Sequence, residues 1–340
     1  MPSLTIVTVA GPNDGPLIER NAHLMRKMNP GVSFELYVID NSRHAGGACV
    51  LENELWQVLD GIPTSDSRVS RQSQASSQHG LALNSFMANH PVTSRYLLVL
   101  DPDFFIYFDN WIASVTTHML AQKIDFFGAP WHPKWFTKYR GFPCVHCLFI
   151  DAHSVDVKSL DFTPDIKPTL AAGLKKKKFV ARIKTNVSSP LLSLIYSMSL
   201  LRLDIGKTKD TGGKIHDQAL AHPMRWKSGL LLPYLRSDDW SMAPHLRHKL
   251  GRWVEKAVPK RWSFLPDKRS GHTYKSLVSS DINQDIADQG WEEFQWQGRV
   301  FGIHMRRFAN KTQGKMAAAE LLDRLDRPHG QSSSITIPCR

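Results

Sequence analysis

The sequence predicts an α/β fold: a mostly parallel, mixed sheet flanked by helices, followed by a more helical and basic C-terminal part. Two observations carry this. Apolar, β-branched runs recur at Leu4–Ala10 (LTIVTVA), Phe34–Asp40 (FELYVID) and Tyr96–Leu100 (YLLVL), with helically spaced segments between them. Each run also stops at a cluster of polar and turn-forming residues, as strands do at the edge of a sheet that is covered on both faces.

Taken in order, the first run ends in GPNDGP, a dense set of chain breakers. Pro16 then stands where a first helical turn tolerates proline, and Leu17, Ile18, Leu24, Met25 and Met28 follow at helical intervals. After the second strand come a polar loop and a short helix expected around Leu51–Leu59. A Ser/Gln-rich approach (SRQSQASSQ) leads into a helix expected over His79–Asn89, and YLLVL stops at Asp101-Pro102-Asp103. Farther on, Trp111–Ala121 reads as helix, Phe126–Ala129 and Val145–Ile150 as strands, and Val300–His304 as a short apolar strand that turns basic. Three polar motifs, Ala10–Asp14, Asp40–Ser42 and Asp101–Asp103, therefore fall at the carboxyl ends of strands, where open α/β sheets bind ligands.

The chain has 340 residues, with 42% hydrophobic and 22% charged, which excludes wholesale disorder and allows a sizeable core. Its formal net charge of +12 favours anionic partners such as nucleotides, phosphate-bearing substrates or anionic lipid. Four cysteines are too few for a disulfide framework and point to a reducing, cytoplasmic setting. The opening MPSLTIVTVAGPNDG lacks a basic n-region and reads as a first strand rather than a signal peptide. The stretch between Lys184 and Arg202 is uncharged, but Asn186, Pro190 and several serines make it a poor membrane span. Residues 1–150 are expected to form a nucleotide-binding half, 151–327 the C-terminal part of the same domain, and 328–340 a tail.

Asp101 and Asp103, two carboxylates at i and i+2 on a strand-to-loop turn, can share a hard divalent cation, Mn²⁺ or Mg²⁺. The bland alternative is a turn cap beside a solvated aspartate. The order LTIVTVA, FELYVIDNS, HGLALN and YLLVLDPDFF resembles the N-terminal half of a GT-A glycosyltransferase of the broad family-2-like group. The resemblance covers roughly residues 4–130. It implies a nucleotide-sugar donor, UDP-linked by first expectation, and a saccharide or glycolipid acceptor. By position it makes the strand end at Ala10 a nucleobase contact, Asp40 a base or ribose contact, and Asp101 and Asp103 the D-x-D pair. It also implies a C-terminal histidine returning to the D-x-D as a metal ligand, for which His304 is the candidate, with Arg306 reaching the diphosphate.

His79 is expected to open its helix and contact the nucleotide with help from the positive helix end, or else to be a helix-start residue without a ligand. Asn84 reads as a packing or capping residue. The base that deprotonates the acceptor is expected at Asp210, with Asp217, Asp238 and Asp239 as rivals. The family's Glu-Asp pair is missing there, and a turn residue or N-cap is the slightly better reading of Asp210. Cys144-Val145-His146-Cys147 resembles a zinc motif, but a strand sends residues i and i+3 to opposite faces, so core cysteines are the better reading. The basic runs Lys175–Lys178 and His245–Trp262 would suit docking on an anionic membrane or a solvated surface. No nucleic-acid-binding motif accompanies them. The rival functions are a sugar-phosphate nucleotidyltransferase, disfavoured because GPNDGP carries no Lys or Arg, and a transferase-like binding protein without catalysis. A nicotinamide-dependent oxidoreductase is weaker still, because G-x-G-x-x-G is absent.

Overall fold

The computed structural model describes residues 3–42, 51, 56–61, 71–132, 141–164, 211–222, 224–235, 272–278 and 286–305. Strand β1 (Thr5–Ala10), helix α1 (Gly15–Met28) and strand β2 (Glu35–Asp40) form the first unit. The edge strand β3 (Gln57–Asp60) and helix α2 (Arg71–Asn89) follow, then β4 (Tyr96–Leu100), β5 (Phe104–Ile106) and α3 (Trp111–Gln122). Beyond them come β6 (Phe126–Pro130), β7 (Pro143–Asp151), α4 (Gly213–Ala221), β8 (Ser228–Leu230) and β9 (Leu232–Pro233). The hairpin β10 (Trp291–Trp296) and β11 (Arg299–Met305) completes the described structure.

Seven strands form one sheet in the order β3-β2-β1-β4-β7-β6-β8. β7 runs antiparallel to both its neighbours and the other pairings are parallel, so the sheet is mixed and mostly parallel, as expected. Alternation along the strands feeds two cores. Ile6, Leu98 and Phe149 face one side, where α1 contributes Ile18, Ala22 and Met25 and α3 contributes Trp111, Ile112, Val115 and Met119. Val7, Leu97, Val99 and Ile150 face the other, against Ala82, Leu83, Phe86 and Met87 of α2 and Ile215 of α4. All five residues of YLLVL are buried, and each apolar side chain so removed from water stabilises the fold by about 1.5–3 kcal/mol.

A second sheet, β5-β11-β10-β9, was not foreseen. Its strands are antiparallel, and it is built mainly from the far end of the chain onto the three-residue strand that follows Asp103. Phe104, Ile106, Phe294 and Phe301 join the α1/α3 core, while Phe105, Trp291 and Ile303 pack with Leu17 and Leu24 of α1. Gly302 makes the β5–β11 pairing possible: a Cβ there would stand 2.6 Å from the Phe105 carbonyl oxygen.

Two local expectations are corrected. The helix expected at Leu51–Leu59 gives way, at Gln57–Asp60, to a strand that extends the sheet by pairing with β2. Helix α2 begins at Arg71, so the Ser/Gln-rich approach is itself helical and His79 lies well inside the helix. The dipole argument for His79 lapses with that, because the field of a helix end fades within its first turn. Beyond residue 151 the described residues contribute α4 and four strands. Lys175–Lys178, the uncharged stretch 184–202, His245–Trp262 and the tail 328–340 lie outside the described residues. Among the described residues no helix is long and apolar enough to cross a membrane.

Candidate functional site

The site is built on the turn that links the two sheets. After β4 the chain makes a β-turn, with the Phe104 amide donating to the Asp101 carbonyl at 3.1 Å. Asp at the first position and Pro at the second are the residues such a turn prefers. Three outside contacts fix it. Asn21 Nδ2 of α1 donates to the Pro102 carbonyl at 2.9 Å. The Met305 amide at the end of β11 donates to the Asp103 carbonyl at 2.8 Å, and the Asp101 amide donates to the His146 carbonyl of β7 at 3.1 Å.

These contacts bring the end of β11 to the turn. The pairing of β11 with β5 sets His304 opposite Phe104. His304 Nε2 lies 3.2 Å from Asp103 Oδ1, across 201 residues of sequence. Asp101, Asp103 and His304 each offer one ligand atom, and these atoms all lie within 4.8 Å of one another. Two carboxylate oxygens and one imidazole nitrogen make a donor set suited to Mn²⁺, which accepts nitrogen more readily than Mg²⁺ does.

The imidazole of His304 is 2% exposed and held on all sides. His146 stacks on it with ring centroids 4.4 Å apart and planes 23° from parallel, and Phe104 lies at 5.7 Å. At its other nitrogen, Nδ1, Glu292 Oε2 stands 3.3 Å away. That contact has the spacing of an ion pair rather than the alignment of a hydrogen bond. His79 Nε2 approaches Asp101 Oδ1 to 3.6 Å from the α2 side, so α2 brings an imidazole to the aspartate pair by packing rather than by a helix end.

The neighbouring strand ends line the same edge. Asp40 ends β2 directly opposite Ala10 of β1 and is 6% exposed. Its Oδ1 accepts the Ser42 amide at 2.8 Å, a local turn that holds the carboxylate at the strand end. Asn41 Nδ2 donates to the Gln78 carbonyl of α2 at 3.2 Å, tying this loop to the helix that carries His79. Ala10 turns its methyl into the core and lends its carbonyl to the Asn41 amide, which leaves the following loop, where Asp14 Oδ2 accepts the Gly11 amide, as the part of β1's end that is open to a ligand.

The structure thus brings together Asp101, Asp103, His304 and His79, with Ala10 and Asp40 on the same sheet edge. Asp210 and Arg306 lie outside the described residues, as do Asp238 and Asp239. Asp217 is on α4, half exposed, 3.8 Å from Nδ1 of the buried His216. Asn84 has a structural role: its Oδ1 accepts the Phe162 amide and its Nδ2 donates to Asp161. Cys144 and Cys147 belong to opposite cores, as strand geometry requires. Burial pushes the Cys147 thiol far up in pKa, with the Asp101 charge adding to this and a hydrogen bond with the Ala129 backbone opposing it, so Cys147 stays protonated.

Sequence reasoning missed Asn21, His146 as a ring partner, and Glu292. Asn21 carried a signal, being a polar residue on the apolar face of α1 between Ile18 and Ala22. Glu292 carried none, since Glu292-Glu293 in WEEFQW reads as solvated charge, yet both are buried.

No family model matches the chain, and no curated protein matches it. Among solved structures it is similar in part to an active-site mutant of LgtC, with a TM-score of 0.30 and 14% identity over 46% of this chain and 60% of that one. The mannosyltransferase PcManGT from Pyrobaculum calidifontis, in complex with GDP-Man and Mn²⁺, gives 0.32 and 12% over 47% of each chain. The galactosyltransferase LgtC in complex with donor and acceptor sugar analogues gives 0.27 and 14% over 45% of this chain and 58% of that one. The chain therefore spans less than two thirds of the length of each of these proteins.

Proposed function

We propose that this chain is a metal-assisted glycosyltransferase, taking a sugar from a UDP-linked donor to a hydroxyl of a saccharide or glycolipid. The observation that carries the reading is the meeting of Asp101 and Asp103 with His304 at the carboxyl end of a parallel strand, beside the ends of β1 and β2. In this reading Asp101, Asp103 and His304 hold Mn²⁺, or less favourably Mg²⁺. The bound ion would offset the negative charge that develops on the departing diphosphate. Asp40 holds a hydroxyl or ring nitrogen of the nucleoside, and the loop after Ala10 borders the base. His79 contacts the donor beside Asp101, and Arg306 pairs with its diphosphate. Asp210 takes the proton from the acceptor hydroxyl. The basic runs at 175–178 and 245–262 hold the cytoplasmic protein against an anionic membrane that presents the acceptor.

The test is thermal unfolding with UDP, GDP, CDP, ADP and NAD⁺, each with and without Mn²⁺. A ligand that binds only the folded protein contributes about 2.7 kcal/mol at one hundred times its dissociation constant, a rise of several degrees in Tm. The expected result is a Mn²⁺-dependent rise with UDP that is lost in Asp103→Ala. A Mn²⁺-dependent rise with another diphosphate keeps the transferase and replaces the donor base. No rise with any diphosphate overturns the reading in favour of a binding protein without catalysis, and a rise with NAD⁺ alone overturns it altogether.

A further inference from the structure

A carboxylate with no exposed surface is rare in a folded protein unless a partner compensates its lost hydration. Glu292 is such a group, and its position follows from strand register. β10 and β11 pair so that Glu292 lies directly opposite His304 and on the same face. Glu293, the next residue, points to the other face. There its carboxylate accepts from the Ser276 hydroxyl, the Leu277 and Val278 amides and Gln295 Nε2. A slip of one residue would exchange the two glutamates, so the Glu293 contacts also lock Glu292 onto His304.

The result is one imidazole between two carboxylates from different strands. Nε2 meets Asp103 at 3.2 Å, and Nδ1 meets Glu292 at 3.3 Å. The ring faces are already fixed by His146 and Phe104. What remains to be set is which nitrogen carries the proton. A cation held at Nε2 by the aspartates leaves the ring proton on Nδ1, where the Glu292 carboxylate faces it.

We propose that Glu292 is a positioning residue that orients His304, through the Nδ1 proton, to ligate a divalent cation together with Asp101 and Asp103. The proposal rests on the metal site of the glycosyltransferase reading and on no feature of the donor or acceptor. A carboxylate behind a metal-bound histidine raises its basicity and fixes its orientation, and losing one weakens metal binding 10–100-fold in well-studied sites.

The experiment is Mn²⁺ binding to the full chain, with electron spin echo modulation to detect an imidazole nitrogen bound to the ion. Wild type should show the nitrogen coupling, and His304→Gln should abolish it. Glu292→Gln, which keeps shape and removes charge, should bind Mn²⁺ about 10–100-fold more weakly. Glu292→Asp, which keeps the charge but withdraws it by one methylene, should fall between the two. Unchanged affinity in either folded variant overturns the proposal. In wild type loaded with Mg²⁺, a diamagnetic ion that leaves the ring proton on Nδ1, that proton of His304 should give a slowly exchanging, downfield resonance that disappears in His304→Gln. Its absence overturns the pairing even where neither Glu292 variant folds. If wild-type protein binds Mn²⁺ without nitrogen coupling, His304 is not a ligand and the metal site itself falls, a different failure from an unaffected Glu292 variant.

Discussion

Asp161 fastens three parts of the molecule, and its titration should be visible in stability. Lys214 Nζ of α4 lies 2.6 Å from Asp161 Oδ2, while Asn84 of α2 and both the amide and hydroxyl of Thr163 donate to Oδ1. Burial alone would raise its pKa, but these donors outweigh burial and draw it from 3.8 to about 2. In a fully enclosed site that difference would correspond to ~2.5 kcal/mol. The side chain is 39% exposed, so solvent screening reduces the expected contribution to about 1 kcal/mol. Because the folded value lies below the unfolded one, the contribution is complete above about pH 4, declines between there and pH 2, and is gone below. Asp161→Asn should therefore lower Tm by about 2 °C at pH 7, and the gap from wild type should close as the pH falls toward 2. Calorimetry of both proteins across that range is the assay. A gap that stays constant from pH 7 to pH 2.5 would refute the assignment of the effect to ionised Asp161.

Three further outcomes follow from named contacts. Asn21→Leu removes the donor to the Pro102 carbonyl and should cost about 1–3 kcal/mol in thermal unfolding, with weaker Mn²⁺ binding because the aspartate turn loosens. Arg95→Leu leaves the buried Asp151 without its two-pronged partner, held now at 2.8 and 3.2 Å. The loss in urea unfolding should be about 2 kcal/mol, below the ~3–5 of a fully enclosed pair because Arg95 is itself 39% exposed. Gly61→Ala would place a Cβ 2.1 Å from Asn41 Oδ1 and 2.4 Å from the Asp40 carbonyl. It should displace the Asp40 loop and weaken nucleotide binding, read by titration calorimetry, while leaving Mn²⁺ affinity near wild type.

The first sheet was legible because its central strands are buried on both faces and so read as unbroken apolar runs ending in polar turns. β3 was not, since QVLD is a short edge strand with mostly exposed side chains and carries no alternation to detect. The start of α2 was hidden by serines and glutamines, which favour turns in isolation but here belong to a helix whose later turns are buried by tertiary packing. The β10–β11 hairpin turns at Gln297-Gly298, both with positive φ. That is the backbone of a tight two-residue turn, but glutamine replaces the asparagine or aspartate that would have announced it. Of the site, Asp101, Asp103 and His304 could be named from sequence only through a resemblance, because spacing alone does not single out one histidine among 15. That His304 reaches Asp103 depends on a pairing between strands 200 residues apart, and pairing of that range has no local signature.

The composition of the site explains why its parts come from both ends of the chain. Asp101 ends a strand of the large sheet, and Asp103 precedes a strand of the small one, so the aspartate turn belongs to both. His304 and Glu292 belong to the small sheet alone, and His146 and His79 reach in from the large sheet and its covering helix. The ligand atoms can hold their spacing only while the two sheets keep their relative position. That position is enforced by apolar contacts across the seam, with Phe127 of β6 and Trp296 of β10 packed at 5.3 Å and Phe149 of β7 and Phe301 of β11 at 6.4 Å. Polar groups then set the finer geometry, through the bonds from Asn21 and Met305 to the turn. Loss of an aromatic from this seam should therefore lower stability and metal affinity together. Loss of Glu292 should separate them, because it alters the orientation of one ring while leaving the seam intact.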